Sequence, residues 1–115
     1  MQMLKTDVVI LGAGTAGLSA YRAVIAAGKK AVLVEGGAYG TTCARVGCMP
    51  SKLLIAAAEA AHAVRHTAPF GVHLDGVVRI DGREVMDRVK RERDRFVGFV
   101  LDDIEKIPAG DKLRG

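Results

Sequence analysis

The chain has 115 residues, half of them hydrophobic and 26% charged, the balance of one small soluble module and not of a disordered chain. No apolar run approaches the roughly twenty residues that a membrane-spanning helix needs, and the first one, from Val8, is broken at once by Gly12. The net charge of +4 is spread along the chain among acids, so neither nucleic acid nor a membrane is expected as a partner.

Lys5 precedes an apolar stretch with small residues behind it, the outline of an export leader, but Asp7, Arg22 and the glycine rhythm count against one. A cytoplasmic chain is expected. Residues 6–11 form a β-branched apolar run that reads as a strand buried on both faces. Residues 15–27 carry Ala16, Ala20, Ala23 and Ala27 at helical spacing, with Gly28 where a left-handed cap belongs. This predicts a helix with one close-packing face. Residues 31–35, Ala-Val-Leu-Val-Glu, read as a second strand, and strand, helix, strand implies a parallel crossover.

After a glycine-rich loop and a cysteine segment, residues 53–66 predict a helix with Leu54, Ala57, Ala58, Ala61 and Val64 at helical spacing, stopped by Pro69 and Gly71. Residues 72–80 alternate loosely and read as an extended or hairpin segment turning at Asp75-Gly76. Asp81 is placed to cap a long helix over 83–107, whose stripe Val85, Val89, Phe96, Val100 and Ile104 lies opposite a charged face. Its arginines and lysines alternate with acids and carry no aromatic interleaving, which reads as a solvated face. Residues 110–115 read as a polar tail. The fold class is therefore α/β: an incomplete Rossmann-like domain, the βαβ start of a parallel sheet plus two further helices.

Gly12-Ala13-Gly14-Thr15-Ala16-Gly17 has the G-x-G-x-x-G spacing directly after a strand and opening a helix. Gly12 would permit the tight turn, Gly14 the approach of a pyrophosphate to the backbone, and Gly17 close packing of helix on strand. Glu35 ends the second strand, where a carboxylate accepts hydrogen bonds from an adenosine ribose and disfavours a 2′-phosphate. FAD or NAD fits this loop better than NADP, and the loop alone does not separate the two.

Cys43 and Cys48 stand five apart. In a regular helix that spacing puts their Cα atoms roughly 8 to 9 Å apart, too far for an unstrained disulfide. Gly47 and Pro50 allow a distorted first turn that would bring the sulfurs together. Redox chemistry fits better than zinc, which wants four ligands. The i, i+4 pair His62 and His66 reads as an exposed helix edge, and no metal site is expected. Lys52, four residues beyond Cys48, would place its ammonium beside a thiolate.

The run Gly40-Thr41-Thr42-Cys43-Ala44-Arg45-Val46-Gly47-Cys48-Met49-Pro50-Ser51-Lys52 closely resembles the signature G-G-T-C-x-N-V-G-C-x-P-S-K of class I pyridine nucleotide-disulfide oxidoreductases. With the glycine loop and Glu35 at matching offsets, the resemblance covers essentially the whole chain. It is nearest to the dihydrolipoamide dehydrogenases and next to the mercuric reductases. The resemblance implies FAD held by Gly12, Gly14, Gly17, Glu35, Thr42 and Lys52, and a redox-active Cys43–Cys48 disulfide. In it Cys43 would be the interchange thiol and Cys48 the thiol facing the flavin. Electrons would pass between a dithiol or disulfide substrate and NAD.

It further implies that residues 1–115 are a partial FAD-binding domain, with NAD-binding and dimerisation domains lying beyond them. The full-length enzyme would be a homodimer, and this chain alone would be inactive. Two departures stand out: Thr41 where the family often has glycine, and Arg45 where it usually has asparagine, a charge that would lower a cysteine pKa or select an acidic substrate. The rival reading is a nucleotide-binding thiol switch without flavin turnover.

Overall fold

The computed structural model describes residues 3–115. Strand β1 (Val8–Leu11), helix α1 (Thr15–Ala26) and strand β2 (Ala31–Glu35) form the expected parallel unit, with Val8 opposite Ala31 and Leu11 opposite Val34. Gly28 sits at φ +70° just past the end of α1, the left-handed position that glycine occupies without strain. The helix packs through Leu18, Tyr21 and Val24. Ala16, Ala20, Ala23 and Ala27, the expected packing face, are all exposed. The larger apolar side chains gain more area on burial than methyl groups do, and they decide which side of the helix turns inward.

The cysteine segment forms a short helix α2 (Thr42–Val46), interrupted at Gly47, and helix α3 runs from Cys48 to Arg65. Helix α3 thus begins five residues earlier than its alanine periodicity suggested. Its half-buried line is Leu53, Ala57, Ala61 and Val64, and Leu54 remains 47% exposed. Residues 72–80 form no strand or hairpin; every one is exposed, and the chain merely bends at Gly76. The loose alternation there had no second strand to pair with.

Helix α4 (Gly82–Glu105) starts as anticipated, Asp81 Oδ1 accepting from Arg83 N at 3.0 Å and Glu84 N at 3.1 Å. Its stripe is the one read from sequence: Val89 and Ile104 are buried, Val85, Phe96 and Val100 half-buried. Arg88 donates to the Leu53 carbonyl, while Met49 and Phe96 line one cleft nearer the sheet. Helices α3 and α4 therefore run antiparallel as a hairpin.

The supposed polar tail is a third strand, β3 (Lys112–Arg114), parallel to β2 with Leu33 opposite Lys112 and Glu35 opposite Arg114; the sheet order is β1-β2-β3. Two polar contacts fix it. Tyr21 Oη donates to Asp111 Oδ2 at 2.7 Å, and Lys112 Nζ donates to the Ile104 carbonyl at 2.9 Å, near the end of α4. The core is Ile10, Ala13, Leu18, Tyr21, Ala31, Leu33, Ile104 and Ile107, on one side of the sheet. On the other side Val9 is 59% and Leu11 81% exposed, so β1 is covered on one face only, not on both as its unbroken apolar run suggested.

Candidate functional site

The glycine loop leaves β1 with Gly12 at φ +99°, a conformation that excludes most side chains. Gly12 N donates to the Val34 carbonyl at 2.7 Å, so the turn stays tied to the sheet. A Cβ on Gly17 would lie 1.8 Å from the Gly12 carbonyl oxygen. Helix and turn meet there at a distance that only glycine allows. A Cβ on Gly14 would meet nothing within 4 Å, although Gly14 is the N-cap of α1 and no side chain caps that helix. The space in front of a positive helix end is thereby left open, the condition for an anionic group to reach the backbone.

Glu35 stands beside this loop. Its Oε2 accepts from Ala13 N at 2.7 Å and its Oε1 from Gly37 N at 2.6 Å. These backbone donors, Ala13 first and Gly37 next, hold its carboxyl below the usual range, helped by the Arg114 guanidinium. The acid is ionised and fixed, and each oxygen keeps accepting capacity for a hydroxyl. Two residues that sequence reading missed complete this corner. Arg114, from β3, donates to the Gly37 carbonyl and stacks on the Tyr39 ring with 4.8 Å from guanidinium carbon to ring centre. Only the pairing of β3 with β2 brings them together, and no local signal announces it.

The cysteine turn works through Gly47. A Cβ there would lie 3.2 Å from the Thr42 carbonyl oxygen and 3.6 Å from Cys43 Cα, so the close approach of α2 and α3 depends on its absence. Cys43 is half-buried on α2 and Cys48 is exposed at the first residue of α3. Neither cysteine is engaged in a disulfide, and Cys48 is the nearest titratable neighbour acting on Cys43. The Cys48 thiol, then burial, pushes the Cys43 thiol up, and the Cys48 backbone and the Lys52 ammonium work against the rise.

Arg45 does not bring the Cys43 pKa down as its charge suggested. A Cβ on Gly40 would lie 3.1 Å from Arg45 Cδ, so the Arg45 side chain passes across Gly40, and it lines a separate cleft with Arg93 and Asp94. Thr42 is exposed on the first turn of α2. Thr41 is the one non-glycine residue at positive φ among the described residues, at φ 61° and ψ 149°, a region adopted almost only by glycine. Its Oγ1 accepts from Ala44 N at 3.1 Å and so caps α2.

The glycine-loop helix and the cysteine turn share a cleft of about 330 Å³, where Thr15 and Leu18 of α1 face Cys43, Met49, Phe96 and Phe99. The helix end that follows the loop, a nucleophilic sulfur and an apolar wall are thus parts of one surface. His62 and His66 are not; they lie fourteen and eighteen residues beyond Cys48 on α3, about 21 and 27 Å along the helix.

A family model described as pyridine nucleotide-disulphide oxidoreductase matches residues 6–111. A dihydrolipoyl dehydrogenase of Chlamydia muridarum is 43% identical over 107 residues, 93% of this chain and 22% of that protein. One of Halobacterium salinarum is 41% identical over 89% of this chain and 20% of its own length. Among solved structures, the Cu(II) complex of the HOCl-induced flavoprotein disulfide reductase RclA from Escherichia coli superposes with a TM-score of 0.66 at 23% identity, over 98% of this chain and 22% of that one. The chain spans about a fifth of the length of these relatives.

Proposed function

The chain belongs to the pyridine nucleotide-disulphide oxidoreductase family, and from that membership we propose that it is the FAD-binding and dithiol-bearing part of a dihydrolipoyl dehydrogenase-like enzyme. The observation that carries the reading is the turn at Gly47, which sets Cys43 and Cys48 on two successive helices beside each other and shares its cleft with the glycine-loop helix. Gly12, Gly14 and Gly17 would admit the pyrophosphate, Glu35 would hold the ribose, and Thr42 and Lys52 would border the rest of the cofactor. Bound FAD supplies two-electron transfer between the cysteine pair and NAD.

The chain's own part is thiol–disulfide exchange. A substrate thiolate attacks Cys43 Sγ in the oxidised pair, the Cys43–Cys48 bond breaks, and Cys48 leaves as thiolate. The second substrate thiol, after losing its proton, attacks the substrate sulfur of the mixed disulfide and releases Cys43. Two substrate thiols become one disulfide, and the cysteine pair gains the two electrons. By the family's pattern Cys43 would be the interchange thiol on the substrate side and Cys48 the thiol facing the flavin. A dithiol or disulfide is the substrate class, NAD the co-substrate, and the full-length protein a cytoplasmic homodimer whose NAD-binding and dimerisation parts lie outside residues 1–115. Among the described residues, no helix is long and apolar enough to cross a membrane.

Mass spectrometry with and without a thiol reductant tests the pair: the oxidised chain should be two hydrogens lighter, and Cys43→Ser or Cys48→Ser should remove the difference. An unchanged mass under oxidising conditions sinks the reading. A second reading, a thiol switch without flavin, follows from the same neighbouring cysteines. It predicts the mass change together with a full-length protein that purifies colourless, without flavin absorbance; the 115-residue chain alone should hold FAD weakly or not at all under either reading, since much of the pocket lies elsewhere.

A further inference from the structure

We propose that His62, on the last turn of α3, and His66, the residue that caps its C-terminal end, form a two-imidazole site for a late first-row divalent cation, Cu(II) before the others. The two residues are four apart, on one face of the helix. Their rings are stacked with centroids 3.9 Å apart and planes 20° from parallel, and both residues are exposed. His66 Nδ1 lies 2.8 Å from the His62 carbonyl oxygen. A carbonyl only accepts, so this nitrogen carries the proton and Nε2 of the same ring carries the lone pair. That arrangement recurs in metal-binding histidines: the non-ligating nitrogen is fixed by a backbone carbonyl and the other is turned outward as the donor.

Two imidazoles bound to one cation at about 2.0–2.1 Å in adjacent positions have their nitrogens about 3 Å apart. In the stacked arrangement the in-plane lone pairs run side by side, and the exposed His62 side chain turns to another staggered rotamer for its donor nitrogen to converge with His66 Nε2 on the cation. Among the described residues, no group of three or more histidines, cysteines or acids comes together. The remaining positions therefore belong to water, giving a mixed nitrogen and oxygen set. Cu(II) and Ni(II) accept such a set in tetragonal geometry, and Cu(II) binds first in the affinity order. Structural zinc, which takes four protein ligands, does not suit it. The site is independent of the cysteine turn, about 21 Å away along α3.

The test is titration of the 115-residue chain with Cu(II), followed by electron paramagnetic resonance. The cysteines are first alkylated with iodoacetamide, or replaced as Cys43→Ser and Cys48→Ser, to remove competing thiolates. One Cu(II) per chain is expected, with nitrogen hyperfine structure from two imidazoles. His62→Ala, His66→Ala and His66→Gln should each weaken binding at least tenfold while far-ultraviolet circular dichroism stays unchanged. His73→Ala should bind as the parent does. Failure to bind Cu(II), binding indifferent to His62 and His66, or equal loss in His73→Ala would overturn the proposal.

Discussion

Gly14 and Gly17 lie three residues apart and are glycine for opposite reasons. At Gly17 the obstacle is protein: an added methyl carbon would sit 1.8 Å from the Gly12 carbonyl. Gly17→Ala should force the helix off the turn and cost about 1–3 kcal/mol in denaturant unfolding, the usual range for overpacking. At Gly14 no protein atom is in the way. Gly14→Ala should change stability by under about 1 kcal/mol, the modest loss of a poorer N-cap, yet weaken FAD binding by the full-length protein at least tenfold in equilibrium dialysis. Equal FAD affinity in Gly14→Ala and wild type would remove the loop from the cofactor site. Thr41 presents a third case, a β-branched residue held where glycine belongs, two residues before the cleft-facing thiol. Such backbone costs about 1–3 kcal/mol. Thr41→Gly relieves it, loses a few tenths as a cap and adds freedom to the unfolded chain. A net gain of about 1 kcal/mol is expected, read as a higher denaturant midpoint.

Each element is held by a combination of local pattern and distant partner, and the two differ in how much of them the sequence displays. The stripe of α4 and its Asp81 cap lie within one continuous segment, so spacing alone revealed them. The break at Gly47 was legible for the same reason, since two cysteines five apart with glycine between them cannot share a regular helix and touch. Strand β3 was hidden because Lys-Leu-Arg offers one apolar residue; it is a strand only by virtue of β2. The Arg114–Tyr39 corner of the candidate site was hidden with it. The inward face of α1 was misread because small residues mimic a packing stripe without the area that drives burial.

The Tyr21–Asp111 contact, which joins α1 to the segment entering β3, gives a pH test. Burial first, then the bond to Asp111, raises the Tyr21 pKa to about 12, against about 10 in an unfolded chain. A folded value above the unfolded one gives stability that is complete below about pH 10 and lost as pH rises through about 12. Tyr21→Phe should cost about 1 kcal/mol at neutral pH, the worth of one hydrogen bond. The gap between variant and wild type should close between about pH 10 and 12 in unfolding curves. A gap that is constant over that range would show that the phenol proton has no part in holding β3.

At the scale of the whole molecule, function divides between what these residues contain and what they only border. The thiol pair and the glycine loop lie within them, whereas of the three histidines that could take a proton from the dithiol of the proposed reaction, His62 and His66 stand about 21 Å or more along the helix from Cys48 and His73 lies in the exposed irregular segment 72–80. Losing a placed acid–base group slows such chemistry about a hundred to ten thousand-fold. The 115-residue chain supplied with FAD, NAD and dihydrolipoamide should therefore give no sustained NADH formation in an absorbance assay. Steady turnover would mean that a local group does the work assigned elsewhere.

The parallel pairing of β2 with β3 also imposes an order in time. Its partners, Leu33 with Lys112 and Glu35 with Arg114, stand roughly eighty residues apart, a long closure compared with the hairpin of α3 and α4 enclosed within it. That hairpin, built from near neighbours in sequence, can fold first and carry β3 back toward the sheet. On a ribosome adding about 5–20 residues per second, roughly 4 to 16 s pass between synthesis of β2 and of β3. Throughout that interval one edge of β2 is bare, and Glu35 and Gly37 wait for the arginine that will close their corner. The corner formed by Glu35, Gly37 and Arg114 thus closes only after the helical hairpin between β2 and β3 has been made, and a chaperone that shields nascent strand edges would act on it in that interval.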